Sequence, residues 1–326
     1  MQHQIIRPSD DGADESDSQF MAWLQLLRLP NIAMMGVLQF LVYVCLLEAW
    51  ADLLHIRLQL RLFDFWLLSV SAACIAAAGY VINDYFDQEI DQINNPRERF
   101  IGRCISVEWA MRVYVALNIV AALPLLGFLY KGFWWLACTH AAAAVSLYAY
   151  ARWLKKIPLV GNLLIALLCS VLAAEVLWTD YMFHPALLHD KDIYTAYYQR
   201  TAWLFVWFVG IATLLREWAK DIEDVQGDTI GKRRTLAVLM GWQGARWLLF
   251  ACSLLFALVL GYVSWYYWQQ AAHYSSLYIG WGLCITLLIL VYATARAKSH
   301  TQFRNISTGY KVYFGLGMGW LLLFDW

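Results

Sequence analysis

Nine stretches, each close to the roughly 20 residues that a bilayer core of about 30 Å requires of a helix, run almost without charge along this chain. They cover 32–50, 65–85, 109–130, 133–151, 159–179, 201–217, 246–268, 277–295 and 310–325. A water-free hydrocarbon core leaves a backbone two solutions, helices and closed barrels, because every N–H and C=O must be satisfied inside the protein. Runs of this length that do not alternate apolar with polar select helices. The predicted fold class is therefore all-α, a polytopic membrane bundle of about nine transmembrane helices. The chain is 61% apolar and 15% charged, where a soluble domain is about 45–50% and about 25%.

Charge orients the bundle. With the N-terminus cytoplasmic, the loops after the second, fourth, sixth and eighth spans carry Arg97, Arg99, Arg103, Arg152, Lys155, Lys156, Lys220, Lys232, Arg233, Arg234, Arg296, Lys298 and Arg304. The opposite side holds only Arg57, Arg61, Lys131, Lys191 and Arg200, a bias that follows the positive-inside rule. Residues 1–20 are polar and acid-rich (Asp10, Asp11, Asp14, Glu15, Asp17) and are expected to form a disordered tail ahead of a single membrane domain, 21–326. The formal net charge is zero, so no basic surface points to nucleic acid. Six of the seven cysteines lie in apolar runs and none forms a Cys-x-x-Cys pair; they read as small buried hydrophobes. His140, inside an apolar run, reads as packed or hydrogen-bonded rather than as a metal ligand.

Two polar segments carry the chemistry. Asp84, Asp87 and Asp91 stand at offsets of 0, 3 and 7, and Asp221, Asp224 and Asp228 repeat that spacing. On an α-helix those offsets place three carboxylates on one face. Each set begins where an apolar run ends, and the four spans between them give both segments the same orientation. Carboxylates about 5 Å apart at an effective dielectric of about 20 repel by roughly 3 kcal/mol per pair. A solvated surface run explains one such motif; two with the same spacing at matching helix ends call for a cation. All-oxygen ligands without a His or Cys cluster favour Mg²⁺, Mn²⁺ or Ca²⁺ over zinc. Mg²⁺ commonly takes one or two carboxylates and completes its shell with substrate phosphates, which suggests a diphosphate. Lys155, Lys220 and Arg233 lie beside the motifs and could neutralise remaining phosphate charge, although each is also explained as a topology anchor.

The stretch Asn83-Asp84-Tyr85-Phe86-Asp87-Gln88-Glu89-Ile90-Asp91, followed by Asn95-Pro96, resembles the first signature of the UbiA superfamily of intramembrane prenyltransferases. Arg216-Glu217-Trp218-Ala219-Lys220-Asp221-Ile222-Glu223-Asp224-Val225-Gln226-Gly227-Asp228 resembles the second, and Tyr150-Ala151-Arg152-Trp153-Leu154-Lys155 with Gly161-Asn162 resembles two elements between them. The chain departs from the family where Arg97-Glu98-Arg99 replaces an Arg-Pro-x-Pro stretch and where Ala151 replaces a serine.

The resemblance implies a helical bundle with a lipid-accessible cavity capped on the cytoplasmic side. It implies Mg²⁺ held by Asp84, Asp87, Asp91, Asp221, Asp224 and Asp228, with Asp84, Asp87, Asp221 and Asp224 as the catalytic set. Asn83, Tyr150, Lys155, Lys220 and Arg233 are then substrate-binding. The partners it implies are a prenyl diphosphate donor, a lipid or aromatic acceptor and the lipid bilayer of a bacterial or archaeal plasma membrane. The wording of the second motif is most similar to the branch that prenylates geranylgeranylglyceryl phosphate, with the aromatic acceptors of quinone biosynthesis as the alternative. A cation-coupled transporter is the rival of another class; its ion sites would lie near the bilayer midplane on broken helices.

Overall fold

A computed structural model describes residues 11–94, 100–181 and 193–323. Helix α1 (Asp11–Leu26) turns at Leu27 and Arg28 into α2 (Leu29–Leu53), which contains a π-helical stretch at Val42–Glu48. Then follow α3 (Leu62–Asn94), α4 (Val107–Tyr130), α5 (Trp134–Arg152), α6 (Val160–Tyr181) and α7 (Ile193–Glu223). The short α8 (Val225–Ile230) leads to α9 (Leu236–Gln269), α10 (His273–Arg296) and α11 (Phe303–Gly319). No strand is present among the described residues beyond an isolated bridge between Ile101 and Ile105. The expectation of an all-α membrane bundle holds.

Seven helices among the described residues are long and apolar enough to cross a membrane: α2, α3 (to Glu89), α4, α6, α7 (from Ala196), α9 and α10. The expected spans at 133–151 and 310–325 are helical in α5 and α11 but fall short of that criterion. His140 and several small or hydroxylated residues dilute α5, and Arg304 and Lys311 interrupt an α11 of 17 residues. The count of nine crossings is thus not reached on length and composition. Of the polar tail expected at 1–20, residues 1–10 lie outside the described residues and the rest is the start of α1. The Asn95-Pro96 continuation of the first motif and Arg97 and Arg99 also lie outside the described residues.

Packing follows side-chain size. The small-residue face of α3 seats α4 and α5, and α7 packs against α6, α9 and α11. Trp50, Phe65, Phe205, Tyr267, Tyr310 and Tyr313 form the aromatic part of a core that runs through α2, α3, α7, α9 and α11. Large apolar side chains such as Leu123, Leu126, Leu167, Trp207, Leu258 and Ile289 face outward. Exposed apolar surface on this scale belongs against lipid rather than water. The cysteines follow the same division: Cys45 is buried, whereas Cys138 is exposed on the outer surface, so the expectation of burial fails there.

The far end of the bundle from the motifs is fixed by buried acids. Asp180 accepts the backbone N–H groups of Gln59 (2.6 Å) and Leu60 (3.2 Å), and Asp64 pairs with Lys131 at 2.5 Å. At the motif end, α9 opens with a bend at Gly241, whose φ of 68° lies in the left-handed region that a Cβ disfavours. Eight residues before the bend, Arg233 lies against α3 and α8, pairing with Asp87 and Asp228.

Candidate active site

The C-terminal end of α3 and the α7–α8 junction meet, and Arg233 joins them. Its guanidinium donates to Asp87 Oδ1 on α3 through Nη2, and through Nη1 to Asp228 Oδ1 at 3.3 Å on α8. Asp87 is nearly buried and also accepts from Lys155 Nζ at 2.5 Å and from Asn83 Nδ2 at 3.1 Å. Lys155 closes the ring by donating to Asn83 Oδ1 at 3.0 Å. Asp87 therefore sits between two cations from different parts of the chain, an arrangement that offsets the desolvation of a buried carboxylate.

Asp84, one turn nearer the membrane, accepts from Arg28 Nη2 at 2.9 Å. Arg28 adopts a left-handed backbone conformation (φ 51°, ψ 49°) at the α1–α2 turn, which costs about 1–2 kcal/mol for a residue with a Cβ. Its guanidinium lies 4.8 Å from the centre of the Tyr80 ring. The strained turn that aims Arg28 at Asp84 has no signature in the composition of the chain.

The second motif is less regular than its spacing predicts. Asp221 lies on α7 and accepts from Asn162 Nδ2 at 3.1 Å. Asp224 has φ −86° and ψ 4°, which ends α7, so Asp228 belongs to the separate helix α8. The three acids do not share one continuous helical face. The break turns Asp228 into the bundle, where it meets Arg233. Lys220 pairs within its own segment, with Asp224 at 3.2 Å and Glu223 at 3.3 Å. Lys232, by contrast, is exposed.

Tyr150 and Asn162 are set by a close approach. A Cβ on Gly161 would lie 2.9 Å from Lys155 Cα and 3.1 Å from Tyr150 Cε2, so only glycine lets the start of α6 nest against the end of α5. That contact holds Lys155 toward Asp87 and Asn162 toward Asp221. Of the sequence-predicted residues, the structure brings Asn83, Asp84, Asp87, Lys155, Asp228 and Arg233 into one connected cluster, with Arg28 added. Asp221, Asp224 and Lys220 stand on the facing side, and Tyr150 lines the cavity below.

Electrostatics outside the membrane-spanning segments bear on what this rim can bind. Burial, with Asp87 and Asp84 close by, pushes the Asp91 carboxyl up to about 7. Burial likewise raises Asp224 to about 6 although Lys220 opposes it, and Asp228 is raised by burial against the pull of Arg233. Burial lowers the Lys155 ammonium to about 8, with Asp87 holding it up. Acids raised in this way gain from a cation. Among the described residues no three His, Cys, Asp or Glu side chains converge as a closed metal cage. Opposed all-oxygen faces flanked by Lys and Arg fit an ion that takes one or two carboxylates and receives its remaining ligands from a phosphate-bearing substrate.

Below the rim a cavity of about 250 Å³ extends into the bundle among α2, α3, α5, α6, α7 and α11. Its mouth carries Arg28, Asn83, Tyr150, Arg216 and Glu217, and its walls are aliphatic, with Met34, Leu38, Ile75, Leu147, Ile165 and Leu168. Tyr80 and Tyr150 near the mouth and Phe314 on α11 also line it. An apolar chamber whose mouth carries Arg28, Arg216 and Glu217, with Arg28 reaching out to Asp84, suits an amphiphile with an anionic head and a hydrocarbon tail. Such a site inside a helical bundle marks an integral membrane enzyme acting on a lipid-like substrate.

The chain belongs to the UbiA prenyltransferase family, which matches residues 40–314. The digeranylgeranylglyceryl phosphate synthase of Sulfolobus acidocaldarius is 36% identical over 223 residues, covering 68% of this chain and 70% of that protein. The enzyme of the same name from Sulfurisphaera tokodaii is 28% identical over 300 residues, 91% of this chain and 97% of the relative. Among solved structures, a UbiA homolog from Archaeoglobus fulgidus bound to GPP and Mg²⁺ superimposes with a TM-score of 0.57 at 15% identity, over 92% of this chain and 99% of that one. A structure of digeranylgeranylglyceryl phosphate synthase in membranes gives 0.57 at 19% identity over 94% and 98%. These likenesses establish the same fold. The protein is a membrane-embedded prenyltransferase.

Proposed function

We propose that this prenyltransferase moves an isoprenoid chain from a prenyl diphosphate to the hydroxyl group of a glyceryl phosphate lipid, with Mg²⁺ as cofactor and the active-site loops on the cytoplasmic side. The observation that carries the reading is Arg233 spanning Asp87 and Asp228, which joins the two motifs beside Asn83 at the mouth of the apolar cavity. The archaeal relatives named above, both called digeranylgeranylglyceryl phosphate synthase, support the acceptor.

Asp84, Asp87 and Asp91 on one side and Asp221, Asp224 and Asp228 on the other would hold the metal. Bound there, Mg²⁺ supplies charge neutralisation for a departing diphosphate. The other contributions come from the chain itself. Lys155 and Arg233, paired with Asp87, are placed to transfer their hydrogen bonds to phosphate oxygens as negative charge develops on the leaving group. The donor C–O bond breaks with its electron pair going to the diphosphate. Tyr80 and Tyr150 line the cavity at its mouth, and their ring faces would favour the allylic cation left behind. The aliphatic walls below exclude water that would capture it. The acceptor oxygen then bonds to the allylic carbon and its proton passes to the released diphosphate.

Arg28, Lys155, Lys220 and Arg233 each pair with a carboxylate of the motifs; with those acids neutralised by Mg²⁺ the four cations are released to phosphate groups, which favours a phosphorylated acceptor over a neutral one. Lys232 is exposed and is not part of this set. The test is a competition assay on purified protein in lipid nanodiscs. Geranylgeranyl diphosphate is supplied with Mg²⁺, geranylgeranylglyceryl phosphate and 4-hydroxybenzoate, and products are identified by mass. The expected product is the doubly prenylated glyceryl phosphate. A dominant prenylated aromatic acid overturns the acceptor assignment and leaves prenyl transfer standing.

A further inference from the structure

Deep in the cavity, in segments otherwise apolar, lies a cluster of polar groups that prenyl transfer at the rim does not use. His140 and Glu175 are buried and both line the cavity. His140 Nε2 meets Glu175 Oε2 at 3.2 Å, and its Nδ1 meets Ser71 Oγ at 2.8 Å. Gln39 Nε2 donates to Glu175 Oε1 at 2.8 Å and to the Leu172 carbonyl at 3.4 Å, while its Oε1 accepts from Ser69 at 2.8 Å. Ser71 donates to the Ala121 carbonyl at 2.8 Å. With that proton committed, His140 Nδ1 donates to Ser71, and one proton lies between His140 Nε2 and Glu175 Oε2. Every donor in the network is spoken for. Through His140 and Glu175 it presents polar surface to the cavity while offering an entering ligand no spare donor.

The position of this cluster is fixed by four helices. Along α2, Gln39 is 11 residues below Arg28; along α5, His140 is 10 below Tyr150; along α3, Ser71 is 12 below Asn83; along α6, Glu175 is 13 below Asn162. At a rise of 1.5 Å per residue all four place it about 15–20 Å beneath the rim. Each isoprene unit adds four main-chain carbons, roughly 4–5 Å of extended length for bonds near 1.5 Å. The depth therefore matches about three to four units.

Resting on the reading of the donor as a prenyl diphosphate, we propose that the His140–Glu175–Gln39 network is the floor of the isoprenoid chamber and sets the longest chain the enzyme accepts. An apolar wall at this depth would let a longer chain press into the bundle core. A saturated polar network denies that chain both contact and an opening, because its members cannot part without leaving buried groups unpaired. An intramembrane ionisable pair calls for a role of this kind rather than for simple packing. Ala143, which lines the cavity one turn above His140 toward the mouth, marks where a larger side chain would raise the floor.

The experiment measures equilibrium binding of prenyl diphosphates of three, four and six isoprene units, with Mg²⁺ and no acceptor, by displacement of a labelled four-unit donor. Turnover is measured in parallel. The native protein is expected to bind the six-unit donor at least tenfold more weakly than the four-unit one. His140→Ala combined with Glu175→Ala removes the polar floor and is expected to raise the six-to-four affinity ratio at least tenfold. Glu175→Gln, which keeps the polarity, is expected to leave that ratio unchanged. Ala143→Phe leaves the network intact and is expected to shift preference toward three units, keeping the proposal testable should the double variant fold poorly. Equal binding of all three lengths by the native protein, or an unshifted preference in Ala143→Phe, overturns the floor while leaving the functional reading intact. Failure to bind any prenyl diphosphate overturns both.

Discussion

Asp87 holds the two motifs together, and Asp87→Asn tests how much. Its carboxylate is the shared partner of Lys155 and Arg233, whose side chains are only 5% and 12% exposed. The amide keeps one acceptor oxygen but loses the charge, leaving two largely buried cations without their counter-ion. Removing one partner of a buried ion pair costs about 3–5 kcal/mol, and that range is the expected loss of unfolding free energy. Asp91→Asn is the internal control. Burial and the neighbouring acids raise the Asp91 carboxyl to about 7, so its ionised form works against the fold, and neutralising it should leave stability equal or higher. Both variants are unfolded by denaturant in detergent micelles without divalent cations and followed by tryptophan fluorescence. Equal stability of Asp87→Asn and Asp91→Asn would refute the reasoning.

The remaining predictions concern metal, pH and topology. Turnover should require Mg²⁺ or Mn²⁺ and disappear with chelator, and Asp84→Asn, Asp221→Asn and Asp224→Asn should each lower kcat/KM at least tenfold, about 1.4 kcal/mol of transition-state stabilisation. Because Asp91 and Asp224 titrate near 7 and near 6, protons compete with the metal below those values. Mg²⁺ affinity by isothermal titration should rise roughly ten- to a hundredfold from pH 5.5 to pH 8. These folded-state values are raised, so metal-free stability from the two groups is greatest below about pH 4 and falls as pH rises toward 7; Mg²⁺ should therefore raise the Tm more at pH 7.5 than at pH 5.5. Single cysteines introduced near Asn95 and Gly231 should label from the cytoplasmic side and one near Asp190 from the other, and labelling of the first two from opposite faces would contradict the topology.

Much of this was legible in the sequence because bilayer physics leaves few choices. Long apolar runs announced the helices, and equal spacing of Asp84, Asp87, Asp91 and Asp221, Asp224, Asp228 announced two acidic ends meant to meet. The same spacing misled about local form, since periodicity carries no record of the break at Asp224 that puts Asp228 on its own helix. Lys155 and Arg233 were found as charges near motifs, yet their common partner Asp87 depends on tertiary packing. Gly161-Asn162 was visible as a motif, although only the approach of α6 to Tyr150 and Lys155 shows why glycine is needed. His140 was expected to be hydrogen-bonded, as it is. Glu175 in an apolar run was the signal that could have paired it.

The measurement that bears most directly on a single site built from both motifs is a double-mutant cycle of Asp87→Asn and Asp224→Asn on kcat/KM for prenyl transfer. Residues that serve one metal–diphosphate assembly act as a unit, so their losses do not add. Each substitution alone is expected to cost at least tenfold, and the pair scarcely more than the worse of the two. Near-normal turnover in both single variants, or losses that multiply in the double variant, would contradict it.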